Sequence, residues 1–597
     1  MSENRNYIIA IVLSVLVLFG WQFFIVRPNQ SDLQEGSPQA EVAATTGATA
    51  PDVAVPGVET PAAVALTRAD AVAANPRIAI DTPEIAGSVN LTGGRIDDIR
   101  LKSFQETTDE DSPIITLFSP LGSPAPYYAD FGWVAPPGAD PAVPGVAVPD
   151  ARTVWSAPEG AVLTPQTPLT LTWDNGAGYV FTRTIAVDEN YMFAVTDSVQ
   201  NNSDSAATLY PYALVSRHGT PASEGTYILH EGMIGVFGDE AVRVDYDDLR
   251  DDGTARYDQA TGGWIGITDK YWAATVIPGS TQAFQPRFTY GTVNGLETFQ
   301  ADYLSDPVTV APGASASNTA RLFAGAKEVS VLDAYEDQYA IPKFDLLIDW
   351  GMFYFLTRPM FWVIDNLFQI FGNFGLAILA VTVIVKIIFF PLANKSYVSM
   401  SKMKKIGPLM TEVRERYKDD PARQQQEVMA LYKREKVNPL AGCLPTLVQI
   451  PVFFSLYKVL YTTIEMRHAP FFGWIHDLSA PDPTSVFNLF GLIPWEPPAL
   501  LMIGVWPIVM GFTQWMQMKL NPTPPDRTQA MIFNWLPVIF TFMLAKFPAG
   551  LVIYWAWNNL LSVLQQSFIM RRQGVKIELW SNIRNTFRRK KPATAKT

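Results

Sequence analysis

The chain has 597 residues, 57 acidic and 45 basic side chains, a formal net charge of −12 and 48% hydrophobic residues. That length is too great for one ordinary core, so several domains are expected. The single cysteine, Cys443, excludes an intrachain disulfide; at the start of an apolar segment it reads as a small packing residue before lipidation or redox chemistry.

Residues 7–26, YIIAIVLSVLVLFGWQFFIV, are 20 uncharged positions, enough to cross a bilayer. The exit FIVRPNQ lacks a small-residue cleavage pattern, so residues 1–27 read as an uncleaved transmembrane anchor. Residues 28–75 are rich in Ala, Pro, Thr and Val without a period, and bury too little apolar surface to offset the entropy of ordering. They read as a disordered tether. From residue 76 short alternating runs such as LTLTWDNGAGYVFTRTIAV and YMFAVTDSVQNNS, punctuated by Gly, Asn and Asp, predict an all-β sandwich over 76–340. His218 and His230 within it lack metal-ligand spacing and read as ordinary residues.

The stretch 346–371 is apolar but interrupted by Asp349, Arg358, Pro359 and Asp365, so 341–372 reads as an interfacial amphipathic helix. Spans are expected at 373–392, 440–464, 500–518, 531–547 and 549–569, which with 7–26 makes a six-span α-helical membrane protein. The 393–439 loop carries 11 basic against 6 acidic residues and the tail after 570 carries 9 against 1, whereas loop 465–499 has only Arg467. Basic loops face the cytoplasm, so that loop, the tail and both termini are assigned there. Segment 27–344, with 41 acidic and 17 basic residues, falls outside, and its acidity argues against binding nucleic acid. Within 393–439, Met400, Met403, Ile406, Met410, Val413 and Tyr417 recur at helical spacing, then Asp420 and Pro421 start a second helix. A cytoplasmic helical hairpin results, either a solvated one or a docking platform.

No G-x-x-x-x-G-K-S/T, H-E-x-x-H, G-x-S-x-G or paired-cysteine signature occurs, so neither cofactor nor metal is expected, nor covalent chemistry. The chemistry-bearing feature is a lysine inside LAILAVTVIVKIIFFPLANKSYVSM. Lys386 in a span costs roughly 2.5–3.5 kcal/mol at the bilayer centre, and such residues face a partner or water. Thr382 shares its helix face, Gln449 sits in the third span, and Tyr554, Asn558 and Gln565 share a face of the last. An ammonium among amides and hydroxyls suggests a wet groove, but Lys386 is also near enough to the span's end to snorkel. Snorkelling is the favoured reading for Lys458, Lys519 and Lys546.

VIVKIIFFPLANKSYVSMSKMKKIGP, DDPARQQQEVMALYKREKVNPLAGCLPTLVQIPVFFSLYKVL, APFFGWIHDLSAPDP and LPVIFTFMLAKFPAGLVIYWAWNNLLSVLQQ together resemble the YidC family of membrane protein insertases, in order, over 345–570. The anchor, tether and β domain are similar to its Gram-negative branch. The resemblance implies a five-helix core around a hydrophilic groove, with Lys386 and Gln449 at the family's polar groove positions. It also implies a multi-pass protein of the bacterial inner membrane whose β domain lies in the periplasm. Implied partners are nascent membrane proteins, the Sec translocon with its accessory subunits, the ribosome through the basic tail 570–597, and membrane lipids. Gram-negative members carry arginine where Lys386 stands, so the charge is kept and the bidentate fork is lost. Residues 487–499, FNLFGLIPWEPPA, look inserted. Competing classes are a transporter or channel for an anionic solute and a scaffold whose work lies in the outer domain.

Overall fold

The computed structural model describes residues 66–574 except 110, 137–145, 222–228, 294, 436–443, 491, 494, 496, 499–501 and 521–526. The anchor at 1–27, the tether as far as 65, Cys443 and the tail after 574 lie outside the described residues. The chain divides into two units, Met1–Asp349 and Trp350–Thr597.

In the first unit, helix α1 (Arg68–Ala73) corrects the reach of the tether. Thr67 caps it by accepting from Asp70 N, Leu66 N donates to Gly122 O at 2.8 Å, Arg68 pairs with Asp98, and Ala71 is buried. A capped alanine-rich turn with a docked face is ordered, whatever its composition suggests. Among the described residues the sandwich consists of a twelve-stranded and an eight-stranded sheet, with α2 (Tyr246–Asp252) and α3 (Val329–Tyr339) beside them. Strands pair antiparallel except at one edge, where Arg77–Asp81 runs parallel to Val162–Leu163. In the larger sheet Ala207–His218 lies between Tyr127–Val134 and Leu296–Ser305; in the smaller, Ser315–Ala326 lies between Met192–Asn201 and Trp272–Ile277.

The expected alternation is plainest in Tyr179–Val187, where every second residue is buried. It enters from a turn in which Asn175 Oδ1 accepts from Ala177 N and Tyr179 N, while Gly176 and Gly178 take positive φ of 67° and 90°. Period two carries Arg183 into the core. Its Nε donates to Asp197 Oδ1 at 2.6 Å within the smaller sheet, and the other nitrogens reach Gly94 O at 2.9 Å and Phe131 O in the opposite layer. One guanidinium thus ties the two layers together.

His218 is buried too, its Nδ1 3.4 Å from Thr298 Oγ1. Burial and the nearby Arg95 push its pKa from 6.5 down to about 4. Between those values the unfolded chain takes up a proton that the folded one refuses, so stability falls as pH drops through that window. His218→Asn is expected to abolish this fall. Chemical denaturation at pH 7 and pH 4 checks it: the wild-type loss should exceed the variant's by up to roughly 3 kcal/mol.

In the second unit, α4 (Tyr354–Phe371) buries Thr357, Met360, Phe361 and Ile364 and turns Phe355, Trp362 and Ile370 outward. It packs on α5 (Phe374–Ile388) and on α8 (Leu444–Thr462). Helices α6 (Phe390–Arg416) and α7 (Pro421–Arg434) make the expected hairpin, with Asp420 Oδ1 accepting from Arg423 N at 3.0 Å beside Pro421. Helices α9 (Val505–Leu520), α10 (Arg527–Leu544) and α11 (Ala549–Arg572) complete the unit. Met510, Leu544, Val552 and Ala556 form a core where these three meet, packed round by Trp506, Phe540, Phe547 and Trp555.

Five expected spans therefore each contain a helix. Yet among the described residues no single helix is both long and apolar enough to cross a membrane, so the count of six spans is not confirmed. Helix α5 ends after 15 residues, about 22 Å against a hydrocarbon core of about 30 Å. It bends by 67° into α6, and only this pair passes together.

Candidate functional site

Helix α5 carries Lys386 to its last turn, half-buried, with Ile387 and Ile388 exposed beside it. The amine turns inward, toward α11, where Nζ donates to Ser562 Oγ at 2.8 Å. Ser562 Oγ in turn donates to Asn558 O at 2.8 Å, one helical turn earlier. The buried Tyr397 hydroxyl of α6 also bonds Ser562. Among the described residues no carboxylate forms an ion pair with Lys386. The cation rests on a single hydroxyl, an arrangement that leaves its charge uncompensated.

The other expected residues divide. Gln449 Nε2 of α8 donates to the Tyr554 hydroxyl, and Tyr554 is buried. Asn558 is also buried, and its Oδ1 has no hydrogen-bond partner among the described residues. Thr382 is buried in α5. Its hydroxyl donates to Ile378 O at 2.7 Å, the ordinary back-bond of a threonine inside an apolar helix.

Two neighbours of the site were not anticipated. Ser562 is the acceptor of Lys386, and Gln566, not Gln565, is the buried amide of the last turns, with Nε2 3.6 Å from Met400 Sδ. Both follow from Tyr554 by steps of four residues, a rule that would have found them. Further along the bundle, Asn559 Nδ2 lies 3.4 Å from Thr513 Oγ1 of α9, and Trp557 Nε1 donates to Leu379 O at 3.2 Å. Polar groups thus lie between helices. Ile387, Phe512, Trp535, Ile539, Phe542, Leu564 and Phe568 face outward, an exterior suited to hydrocarbon and costly in water.

A β sandwich followed by a helical unit of this inverted polarity defines an integral membrane protein with a large extramembrane domain. Residues 77–363 match the family model of the YidC periplasmic domain, and residues 366–576 that of the 60Kd inner membrane protein. The membrane protein insertase YidC of Beijerinckia indica subsp. indica is 54% identical over 608 residues, covering 99% of each chain. That of Rhizobium meliloti is 53% identical over 601 residues, covering 99% of this chain and 100% of its own. A solved structure of active YidC insertase with its first transmembrane domain resolved aligns with 82% of this chain and 91% of its own, at 17% identity and a TM-score of 0.34. The chain belongs to the YidC family of membrane protein insertases. Its β sandwich is the periplasmic domain, and its helical unit is the inner-membrane part.

Removing the Tyr554 hydroxyl strands a half-buried amide. Tyr554→Phe is expected to cost about 1–2 kcal/mol, read from thermal melting in detergent. Adding Gln449→Leu should restore part of that loss, because both polar partners are then gone.

Proposed function

We propose that the helical unit inserts its substrates through a hydrophilic groove whose floor is the Lys386 ammonium. The reading rests on one observation: the Lys386 amine is held 2.8 Å from Ser562 Oγ, turned toward α11, without a carboxylate partner among the described residues. The buried, unpartnered Asn558 Oδ1 adds an acceptor in the same turn of α11.

An apolar substrate segment of about 20 residues already favours lipid, gaining some 0.3–0.6 kcal/mol for each Leu-like residue. The obstacle is its short polar flank, because unsatisfied backbone groups and charges in hydrocarbon cost several kcal/mol each. A water-filled recess reaching part of the way across shortens the dry path and lowers that barrier without fuel. The ammonium attracts acidic flanks, and the membrane potential adds about 2.3 kcal/mol per charge per 100 mV. The apolar segment then leaves sideways into lipid. No bond is made or broken.

In this reading six spans cross the inner membrane with both termini cytoplasmic, and α4 lies along the interface. The basic tail docks ribosomal RNA or anionic headgroups, and the insertase works alone or with the Sec translocon and its accessory subunits.

Purified protein in liposomes should insert a single-span substrate with a short acidic tail. Lys386→Glu is expected to slow acidic-tailed substrates about tenfold more than neutral-tailed ones, equivalent to about 1.4 kcal/mol, with Lys386→Arg near wild type. Equal slowing of both substrates removes electrostatic recruitment from the mechanism.

A further inference from the structure

The loop ahead of α9 is left without a role by the reading above. Phe487, Leu489, Phe490, Leu492, Ile493 and Trp495 all face outward, Leu492 82% and Phe490 56% exposed. From Thr484 to Trp495 there is no charged residue. Water-facing loops are built from polar and turn-forming residues, so a concentration of apolar side chains on one short connection calls for a nonaqueous neighbour.

Three features say which neighbour. First, the loop satisfies its own backbone: Phe490 N donates to Ser485 O at 2.9 Å, Ile493 N to Asn488 O at 3.0 Å and Leu489 N to Val486 O at 3.2 Å. Closing it puts Leu489 and Phe490 at positive φ of 50° and 62°, which costs such residues about 1–2 kcal/mol each. Internally paired backbone is what a segment needs to leave water for lipid.

Second, the stem is held firmly. The buried Asp482 accepts through Oδ1 from Thr484 N, Thr484 Oγ1 and Trp474 Nε1, and through Oδ2 from Trp506 N at 2.9 Å. Thr484 Oγ1 accepts from Val505 N at 3.0 Å, so the loop is fastened to the first turn of α9. Third, exposed apolar side chains also flank the stem. Ile508, Val509 and Phe512 are exposed on α9 itself, and Trp474, tied to the same carboxylate, stands exposed near Phe472.

We propose that Phe487, Leu489, Phe490, Leu492, Ile493 and Trp495 form an interfacial foot, seated in the headgroup–acyl boundary of the bilayer on the side where α8 and α9 are joined. This rests on the reading that α9 lies in the membrane. Lacking charge, the foot takes its hold from apolar contact alone, so its seating is independent of lipid charge and of salt. It fixes the depth of α9, the helix whose Thr513 meets Asn559 of α11.

The single native cysteine permits a direct test. In a Cys443→Ser background, Leu492→Cys is labelled with a polarity-sensitive fluorophore and the protein placed in lipid nanodiscs. Quenching is compared for lipid nitroxides near the headgroup, lipid nitroxides near the chain end, and a water-soluble nitroxide. Phe512→Cys, labelled alike, reports on α9. The expected result is quenching at 492 strongest from the headgroup-proximal lipid, unchanged when zwitterionic lipid replaces anionic lipid or when salt is raised. Introducing Phe490→Ser and Ile493→Ser should shift quenching at 492 to the aqueous probe. If 512 responds to lipid nitroxides while 492 responds chiefly to the aqueous probe, or to none because protein covers it, the foot is wrong and the membrane reading stands. If 512 responds to no lipid nitroxide, that reading fails and the foot with it.

Discussion

Hydrocarbon solvates neither a charge nor an unpaired amide, and the second unit is arranged around that fact. Large apolar side chains cover its exterior as well as filling its core, and several hydroxyls and amides meet between helices. Lys386 is the extreme case, because desolvation of an ammonium costs far more than that of a serine. The chain compensates only in part, with Ser562, itself bonded by the Tyr397 hydroxyl, standing where a carboxylate would otherwise be needed. A complete ion pair would neutralise the site.

The periplasmic sandwich meets a related problem with the opposite answer. Arg183 is also a cation inside a core, yet it has Asp197 and two carbonyls of the facing layer. Arg95 with Asp130 and Arg77 with Asp97 repeat the pattern. In these three pairs the buried charge is answered by a carboxylate, and Arg183 in addition ties one layer to the other. Lys327 is an exception in that domain, held by the Thr268 hydroxyl and the carbonyls of Asp269 and Leu347.

Much of this was legible in the sequence. Periods of two located Tyr179–Val187 and Met192–Asn201, and Asp420 before Pro421 marked the start of α7. The apolar runs located α5 and α8 to α11. Composition misled at Arg68–Ala73, because a low-complexity average hides a local cap and a docked alanine. The 67° bend after Ile388 was invisible, since the apolar run continues through Phe389 and Phe390. Lys386, Gln449, Tyr554 and Asn558 drew attention because polar residues stand out against apolar neighbours, and the structure gives the first three partners between helices and buries Asn558. Ser562 was missed because a lone serine in a helix carries little signal. Thr382 was included by face, yet a threonine can satisfy itself on its own helix.

The stripe on α11 has a geometric corollary. Four residues advance about 400° around a helix of 3.6 per turn, so each step drifts about 40° from the last. Tyr554, Ser562 and Gln566 consequently meet different helices at successive heights: α8 through Gln449, α5 through Lys386, and α6 through Met400. The polar track is a spiral stair and not a ladder. A single helix thereby fastens three others in turn, each at its own height and bearing.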